Sequence, residues 1–355
     1  MQPPLLLAHA LQQASAQQAS DLYLTPGAAP RLKVEGEMIT LPGQTLTAAE
    51  IQSILQQLLN PEQQQRLTQQ RELDWAFALP GGERCRVNAF YRQGEPALVL
   101  RLLRADIPEL DALGVPSVLG ELILHKRGLL LVVGGTGSGK STTLAAMIQH
   151  RNSRMAGHIL TIEDPVEFVH PHRLAIVNQR EVGQDTLSYQ AALQSAMREA
   201  PDLILIGEIR DRLAMEAALQ LAGTGHLALS TLHANNACQA LTRIINLFPQ
   251  SLHRQVWMDL SLYLRAIIAQ RLVPGTDGRR KVAVEVLLNT PHVAELILQG
   301  DVDGVQTALQ ESREPGMLSF DQALLQLQQA GSITLQEALN HADSRANLQA
   351  RIHFG

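Results

Sequence analysis

The strongest chemical signal in the chain is the run Gly134-Gly135-Thr136-Gly137-Ser138-Gly139-Lys140-Ser141, followed by Thr142. It fills every fixed position of a phosphate-binding loop, the Walker A pattern. Glycines let the backbone wrap a phosphate chain with its N–H groups turned inward. Lys140 would reach the β- and γ-phosphates, and the Ser141 hydroxyl would ligate Mg²⁺. The loop sits between an apolar run, residues 129–133, and a helical stretch, residues 142–150. A strand before and a helix after is the context that this chemistry needs.

Two acidic signals follow. Leu203-Ile-Leu-Ile-Gly207-Glu208 is an apolar run ending in a carboxylate, the Walker B arrangement, in which Glu208 would hold Mg²⁺ through water. Ile162-Glu163-Asp164-Pro165 also closes an apolar run, so its acids would reach the same sheet edge as the phosphates. Glu163 is the candidate general base for an attacking water. A helix N-cap or a plain turn acid remains the other reading of this pair. In Gly225-His226-Leu-Ala-Leu-Ser-Thr231-Leu-His233, His233 falls just past a strand end, where it would sense a γ-phosphate or serve as an ordinary structural hydrogen bonder. Arg86 and Arg101 lie on adjacent predicted strands and could converge on developing phosphate charge. Solvated surface arginines are the default for such positions.

The elements that must carry these residues change character along the chain. In the first hundred residues a helix rich in Ala, Leu and Gln (5–20) precedes alternating strands at 21–24 and 31–39. Thr47 with Glu50 forms a capping-box signal ahead of Ile51, Ile54, Leu55, Leu58 and Leu59 on one helical face. Asn60-Pro61 reads as the stop of that helix. Further strands are expected at 83–91 and 97–103, punctuated by Arg86, Arg92, Arg101 and Arg104. This is an α+β pattern. Residues 106–120 hold prolines and a glycine among acids and read as a linker. Beyond it, apolar runs at 129–133, 158–162, 203–206 and 227–231 alternate with helices, the α/β pattern of a sheet covered on both faces. A last strand is expected at 282–288, and the pattern is helical from Thr290 onward. The expected division is 1–105, a linker at 106–120, a core at 121–289 and a helical region at 290–355. The chain of 355 residues suits two domains.

Composition excludes some classes. The chain is 45% hydrophobic but only 3% aromatic, so its cores are built from Leu, Ile, Val, Ala and Met. A net charge of −5 disfavours a nucleic-acid carrier, and no nucleic-acid partner is expected. The two cysteines, Cys85 and Cys238, form no CxxC, read as reduced thiols, and exclude a four-cysteine zinc site. Leu5-Leu6-Leu7 is too short for a signal peptide, and no run approaches the ~20 apolar residues of a bilayer span. A protein neither secreted nor membrane-embedded is expected.

In this order the motifs resemble the PilT/PilU family of type IV pilus retraction ATPases, within the secretion-ATPase superfamily, over nearly the whole chain. The segments that carry the likeness include Ala-Ser-Asp21-Leu-Tyr-Leu, Arg86-Val-Asn-Ala-Phe-Tyr and the phosphate loop. They continue with Ile162-Glu-Asp-Pro-Val-Glu-Phe-Val-His170 (the family's Asp box), Arg180-Glu-Val-Gly-Gln-Asp185, Ala200-Pro-Asp-Leu-Ile-Leu-Ile-Gly-Glu-Ile-Arg-Asp211, and 225–236 (its His box). The resemblance implies an N-terminal PAS-like domain, a RecA-like P-loop NTPase domain with a C-terminal helical region, and a homo-hexameric ring using ATP and Mg²⁺ between the two domains. It implies that Glu163 activates water, that Glu208 serves the metal, and that His226 and His233 respond to nucleotide. It also implies that Arg86 and Arg101 reach the phosphates. The implied partners are a PilT-type motor and an inner-membrane pilus platform protein, at the cytoplasmic face of the inner membrane.

Within the family the PilU branch is nearer, through Thr231-Leu-His-Ala-Asn-Asn-Ala, Arg243-Ile-Ile-Asn-Leu-Phe-Pro249, Val256-Trp-Met-Asp-Leu-Ser-Leu262, Phe320-Asp-Gln-Ala-Leu and Ala342-Asp-Ser-Arg-Ala-Asn-Leu. PilT proteins carry Ala-Ile-Arg-Asn-Leu-Ile-Arg-Glu, a segment needed for retraction. Here Pro291-His-Val-Ala-Glu-Leu-Ile-Leu-Gln299 stands in its place without either arginine, which points to an accessory motor. Gly223 stands where the family usually has Glu. The competing expectations are an ATP-binding adaptor ring, and a pilus-assembly or type II secretion ATPase, which usually needs the zinc ligands absent here. A nucleic-acid translocase with a RecA-like core is a further one.

Overall fold

A computed structural model describes residues 5–34, 36–78, 84–103 and 107–354. Glu83, Arg104 and Asp106, which enter the sequence expectations above, lie outside the described residues. The chain divides into two compact units, one of residues 1–106 with 167–169, the other of residues 107–166 and 170–355.

The first unit is an antiparallel sheet with helices. Its strands are β1 (Asp21–Leu24), β2 (Arg31–Val34), β3 (Glu37–Thr40), β4 (Glu72–Ala78), β5 (Arg84–Arg92) and β6 (Glu95–Leu103), in the order β3-β2-β1-β6-β5-β4. The alternation read over 31–39 is two strands turned on Gly36, not one. Helix α1 (Leu5–Ala16) buries Leu7, Leu11 and Ala14. Helix α2 (Ala48–Leu58) starts at the expected capping box, with Thr47 Oγ1 accepting the Glu50 N–H and Glu50 Oε2 accepting the Thr47 N–H at 2.7 Å. Its buried stripe is Ile51, Ile54, Leu55 and Leu58. Asn60-Pro61 does more than stop it: Asn60 N-caps a further helix, α3 (Pro61–Gln70), with proline at the position where a missing N–H costs nothing.

The second unit is a seven-stranded sheet, order β13-β12-β7-β11-β10-β8-β9. Its strands are β7 (Gly128–Val133), β8 (Gly157–Glu163), β9 (Ala175–Glu181), β10 (Leu203–Ile206), β11 (Leu227–Leu232), β12 (Leu264–Pro274) and β13 (Arg280–Leu288). Every pair is parallel except β12–β13. All residues of β7, β10 and β11 are buried, as continuous apolar strands covered on both faces must be. One face carries α4 (Val118–Leu122) and α5 (Lys140–Asn152). The other carries α6 (Tyr189–Ala196), α7 (Arg212–Gly223), α8 (Ala237–Asn246) and α9 (His253–Tyr263). The C-terminal helices α10 (Pro291–Gln299), α11 (Val302–Glu311), α12 (Phe320–Gln329), α13 (Leu335–His341) and α14 (Arg345–Phe354) join that second core through Val293, Val305, Phe320 and Leu348. Residues 107–120, read as a linker, carry a 3₁₀ turn (Leu110–Leu113) and the start of α4, with Leu110 and Leu119 in the second unit's core beneath α4 and α5. Cys85 is buried and Cys238 half-buried, and no disulfide joins them. Among the described residues no helix is long and apolar enough to cross a membrane.

Candidate functional site

The glycine loop leaves β7 at the middle of the sheet and enters α5. Gly134, Gly137 and Gly139 hold φ of 153°, 76° and 89°, a region side chains avoid. A Cβ on Gly134 would stand 2.5 Å from Ser138 Oγ and 2.6 Å from the Gln270 carbonyl, so the close turn requires glycine there. Gly139 is the N-cap of α5 and offers no side chain to the helix end. The N–H groups of the first turn are thus left for an anion, which the helix dipole also favours. Lys140 Nζ donates to the carbonyls of Gly134 and Gly135 at 2.8 and 2.9 Å, so the ammonium lies folded over the loop. Ser141 is exposed beside it, and Thr142 is half-buried. A cleft of about 740 Å³ opens against the loop, lined by Gly134, Gly135, His233, Asn236, Gln239 and Arg243 among others. A second, of about 620 Å³, is lined by Thr136, Gly137, Ser138, Gln270 and Arg271 among others. Both are of ligand-holding size.

The acids stand along the same edge. Strand register levels the ends: Val133 pairs with Leu232, Ser230 with Ile206, and Ile206 with Ile162. Glu208 and Glu163 therefore emerge beside the loop, about 10 and 14 Å along the edge at strand spacing. Glu208 Oε2 accepts from Arg210 Nε at 2.8 Å, and Oε1 lies 3.2 Å from His233 Nε2. The guanidinium of Arg210 also sits 3.8 Å from Asp164, and its hydrogen bond to Glu208 raises its pKa. Glu163 Oε1 accepts from Thr161 Oγ1 at 2.6 Å and from Gln179 Nε2 at 3.2 Å. Thr231 Oγ1 donates to the Gly207 carbonyl at 2.6 Å, tying the β11 end to the Walker B turn. Gly207 is tight: a Cβ there would stand 2.8 Å from the Tyr189 hydroxyl. Burial, then Asp164, pushes the Tyr189 phenol well above its ordinary value.

The structure thus brings together the loop, Glu208, Glu163 and His233. It does not bring His226 to them. His226 precedes β11, at the far end of a strand about 20 Å long, and its Nδ1 lies 3.2 Å from Thr224 Oγ1 and 3.3 Å from the Leu221 carbonyl. The parallel strand that delivers His233 to the loop edge carries His226 to the opposite one. Arg86 and Arg101 belong to the first unit, where they are direct cross-strand partners on β5 and β6. Arg101 is in turn the partner of Asp21, which is 5% exposed and accepts from Arg101 Nε at 3.0 Å. That pairing offsets the cost of facing two cations across a sheet. Arg210, Thr161, Gln179 and Tyr189 escaped the sequence reading. Arg210 had a signal, two residues past Glu208, while the other three are ordinary polar residues until the sheet places them.

A family model described as Type II/IV secretion system protein matches residues 3–340. The type IV pilus ATPase PilU of Pseudomonas aeruginosa is 48% identical over 337 residues, covering 95% of this chain and 88% of that protein. The type IV pilus retraction ATPase PilT of the same organism is 38% identical over 326 residues, covering 92% and 95%. Among solved structures, the pilus retraction motor PilT with bound ADP superposes with a TM-score of 0.91 at 39% identity, covering 97% of this chain and 98% of that one. The likeness runs through both units rather than the glycine loop alone, and the chain belongs to the Type II/IV secretion system protein family.

Proposed function

We propose that this chain is an ATP-hydrolysing subunit of a hexameric motor for type IV pilus retraction, an accessory motor of the PilU kind that works with a PilT-type ring. One observation carries the chemistry: a glycine loop with a lysine folded over it shares a sheet edge with two carboxylates held by different partners. The pilus assignment is supported by the identity to the PilU and PilT ATPases. The divisions 1–105, 121–289 and 290–355 would serve as PAS-like domain, RecA-like core and helical region.

In this reading residues 134–142 bind the triphosphate through backbone N–H groups, and Lys140 leaves the Gly134 and Gly135 carbonyls for the β- and γ-phosphates. The exposed Ser141 hydroxyl and, through water, the Glu208 carboxylate suit Mg²⁺, which prefers oxygen donors and keeps several waters. Bound with the triphosphate, that ion would neutralise charge on the β- and γ-oxygens. Glu163 takes a proton as water oxygen bonds to the γ-phosphorus and the bond to the β-phosphate oxygen breaks, giving ADP and phosphate. His233, between the loop and Glu208, reports whether the γ-phosphate is present. Arg86 and Arg101 are assigned to charge developing on the transferred group. Different affinities of the ring's conformations for ATP and ADP would drive its change of shape and act on an inner-membrane platform protein from the cytoplasmic face.

Steady-state hydrolysis by the purified full-length chain tests this. Hydrolysis that needs Mg²⁺ and falls about 100-fold or more in Lys140→Ala is expected. No activity above that variant, with or without a PilT-type partner, would instead favour an ATP-binding adaptor. That second reading is kept open by α10, which lacks the two arginines of its PilT counterpart.

A further inference from the structure

Thr161 precedes Glu163 by two residues on β8, so both side chains rise from the same face of the strand. Gln179 lies on β9, and the register pairs it with Thr161 directly. The fully buried Thr161 hydroxyl and the Gln179 amide donate to one and the same oxygen, Glu163 Oε1. The amide cannot turn over without loss. Its Oε1 accepts the backbone N–H of His170 at 2.8 Å, which commits the NH₂ end to the carboxylate. His170 is itself buried, and burial lowers its pKa to about 4. The anchor is therefore a neutral, packed group. Thr161 is β-branched, with few side-chain rotamers to escape into.

We propose that Thr161 and Gln179 are positioning residues for water activation, a clamp that fixes one oxygen of Glu163 against the strand end. The proposal rests on the reading of Glu163 as general base. Two donors to one carboxylate oxygen favour the ionised over the protonated carboxyl, so they keep the base competent toward lower pH. They also fix its plane, and a misplacement of about 1 Å can cost on the order of 100-fold in rate. A threonine that merely satisfied its own hydroxyl would do neither.

The test is single-turnover ATP hydrolysis across pH by the full-length, assembled protein. Thr161→Val is expected to lower the rate about 10- to 100-fold with KM for ATP changed less than about twofold, and to move the acid limb of the pH–rate profile upward. Thr161→Ser, which keeps the donor, is expected to restore most of the rate and the limb. Gln179→Glu removes the other donor and sets a second acid beside the first. It should move the limb further up, and it keeps the question answerable if the valine variant does not fold. Wild-type rate and profile in Thr161→Val and Gln179→Glu, beside a Glu163→Gln protein that has lost hydrolysis, overturn the clamp and leave the base in place. Undiminished hydrolysis in Glu163→Gln overturns the base and the clamp together. Equal losses in Thr161→Val and Thr161→Ser with an unmoved limb mark a structural role and also overturn the clamp.

Discussion

Glu208 meets Arg210 through one carboxylate oxygen and approaches His233 through the other, whereas Glu163 accepts hydrogen bonds from Thr161 and Gln179. The Arg210 guanidinium thus lies against Glu208, while the Thr161 hydroxyl and the Gln179 amide hold one oxygen of Glu163. A third acid, Glu285 on β13, is buried two strands from β7 and pairs with Ala269, itself level with Val133 at the loop's start, with Oε1 accepting the Ala237 N–H at 2.8 Å where α8 begins. Burial first pushes its carboxyl up to about 7, against an ordinary 4.5. Between those values the folded chain keeps a proton that the unfolded chain has lost. Stability therefore falls as pH rises through that window, by up to about 3 kcal/mol. His170 works the other way. With its imidazole lowered from 6.5 to about 4, stability rises with pH between those values. The two slopes oppose one another between 4.5 and 6.5. Glu285→Gln keeps an oxygen for Ala237 and removes one slope. Thermal unfolding across pH is expected to show the variant gaining stability up to 6.5 while the wild type changes less, and the wild type alone declining from there to 7. Parallel curves for the two proteins would contradict it.

At the scale of elements, Gly223 closes α7, and a Cβ there would meet the Tyr263 ring of α9 at 3.0–3.3 Å. The departure from the usual family residue therefore has a packing reason: the ring occupies the space a longer side chain would need. Glycine inside a helix costs about 1 kcal/mol relative to alanine, so Gly223→Ala carries a gain and a contact penalty of opposite sign. We expect Gly223→Ala alone to leave stability unchanged or lower. In a Tyr263→Ala background the same change should stabilise by up to about 1 kcal/mol. Urea unfolding of the four proteins in this double-mutant cycle measures the difference, and additivity would show that ring and glycine do not share the space.

At the scale of the whole molecule, the two units have separate cores. One runs from Leu7 to Leu100 and the others from Leu110 to Leu348. Each is large enough to fold alone by ordinary domain size. The chain has two tryptophans, and they fall one to each unit: Trp75 in the first, Trp257 in the second. Fluorescence of Trp75→Phe therefore reports unfolding of the second unit, and that of Trp257→Phe reports the first. A fragment of residues 107–355 is expected to be folded and to unfold with the midpoint seen in Trp75→Phe, while the two tryptophan signals of the full chain do not coincide. Coincident transitions, or a fragment without cooperative unfolding, would mean that the cores depend on one another.

Much of the chemistry was legible because it is written in adjacent residues. The glycine loop, Glu208 at the end of an apolar run, the capping box at Thr47 and the parallel apolar strands are local patterns, and local backbone physics imposes them wherever they occur. Three strands were not legible. Glu72–Ala78 and Ala175–Glu181 mix polar and apolar residues at sheet edges, and Leu264–Pro274 follows α9 with no turn residue to mark the change. In each, tertiary pairing overrides a weak local signal. His226 and His233 look equivalent in a sequence motif. The parallel direction of β11 sends one to the edge that carries the glycine loop and the other to the opposite edge. The clamp on Glu163 was invisible for the same reason. Gln179 lies sixteen residues from Glu163, and only the pairing of β8 with β9 sets its amide against the carboxylate.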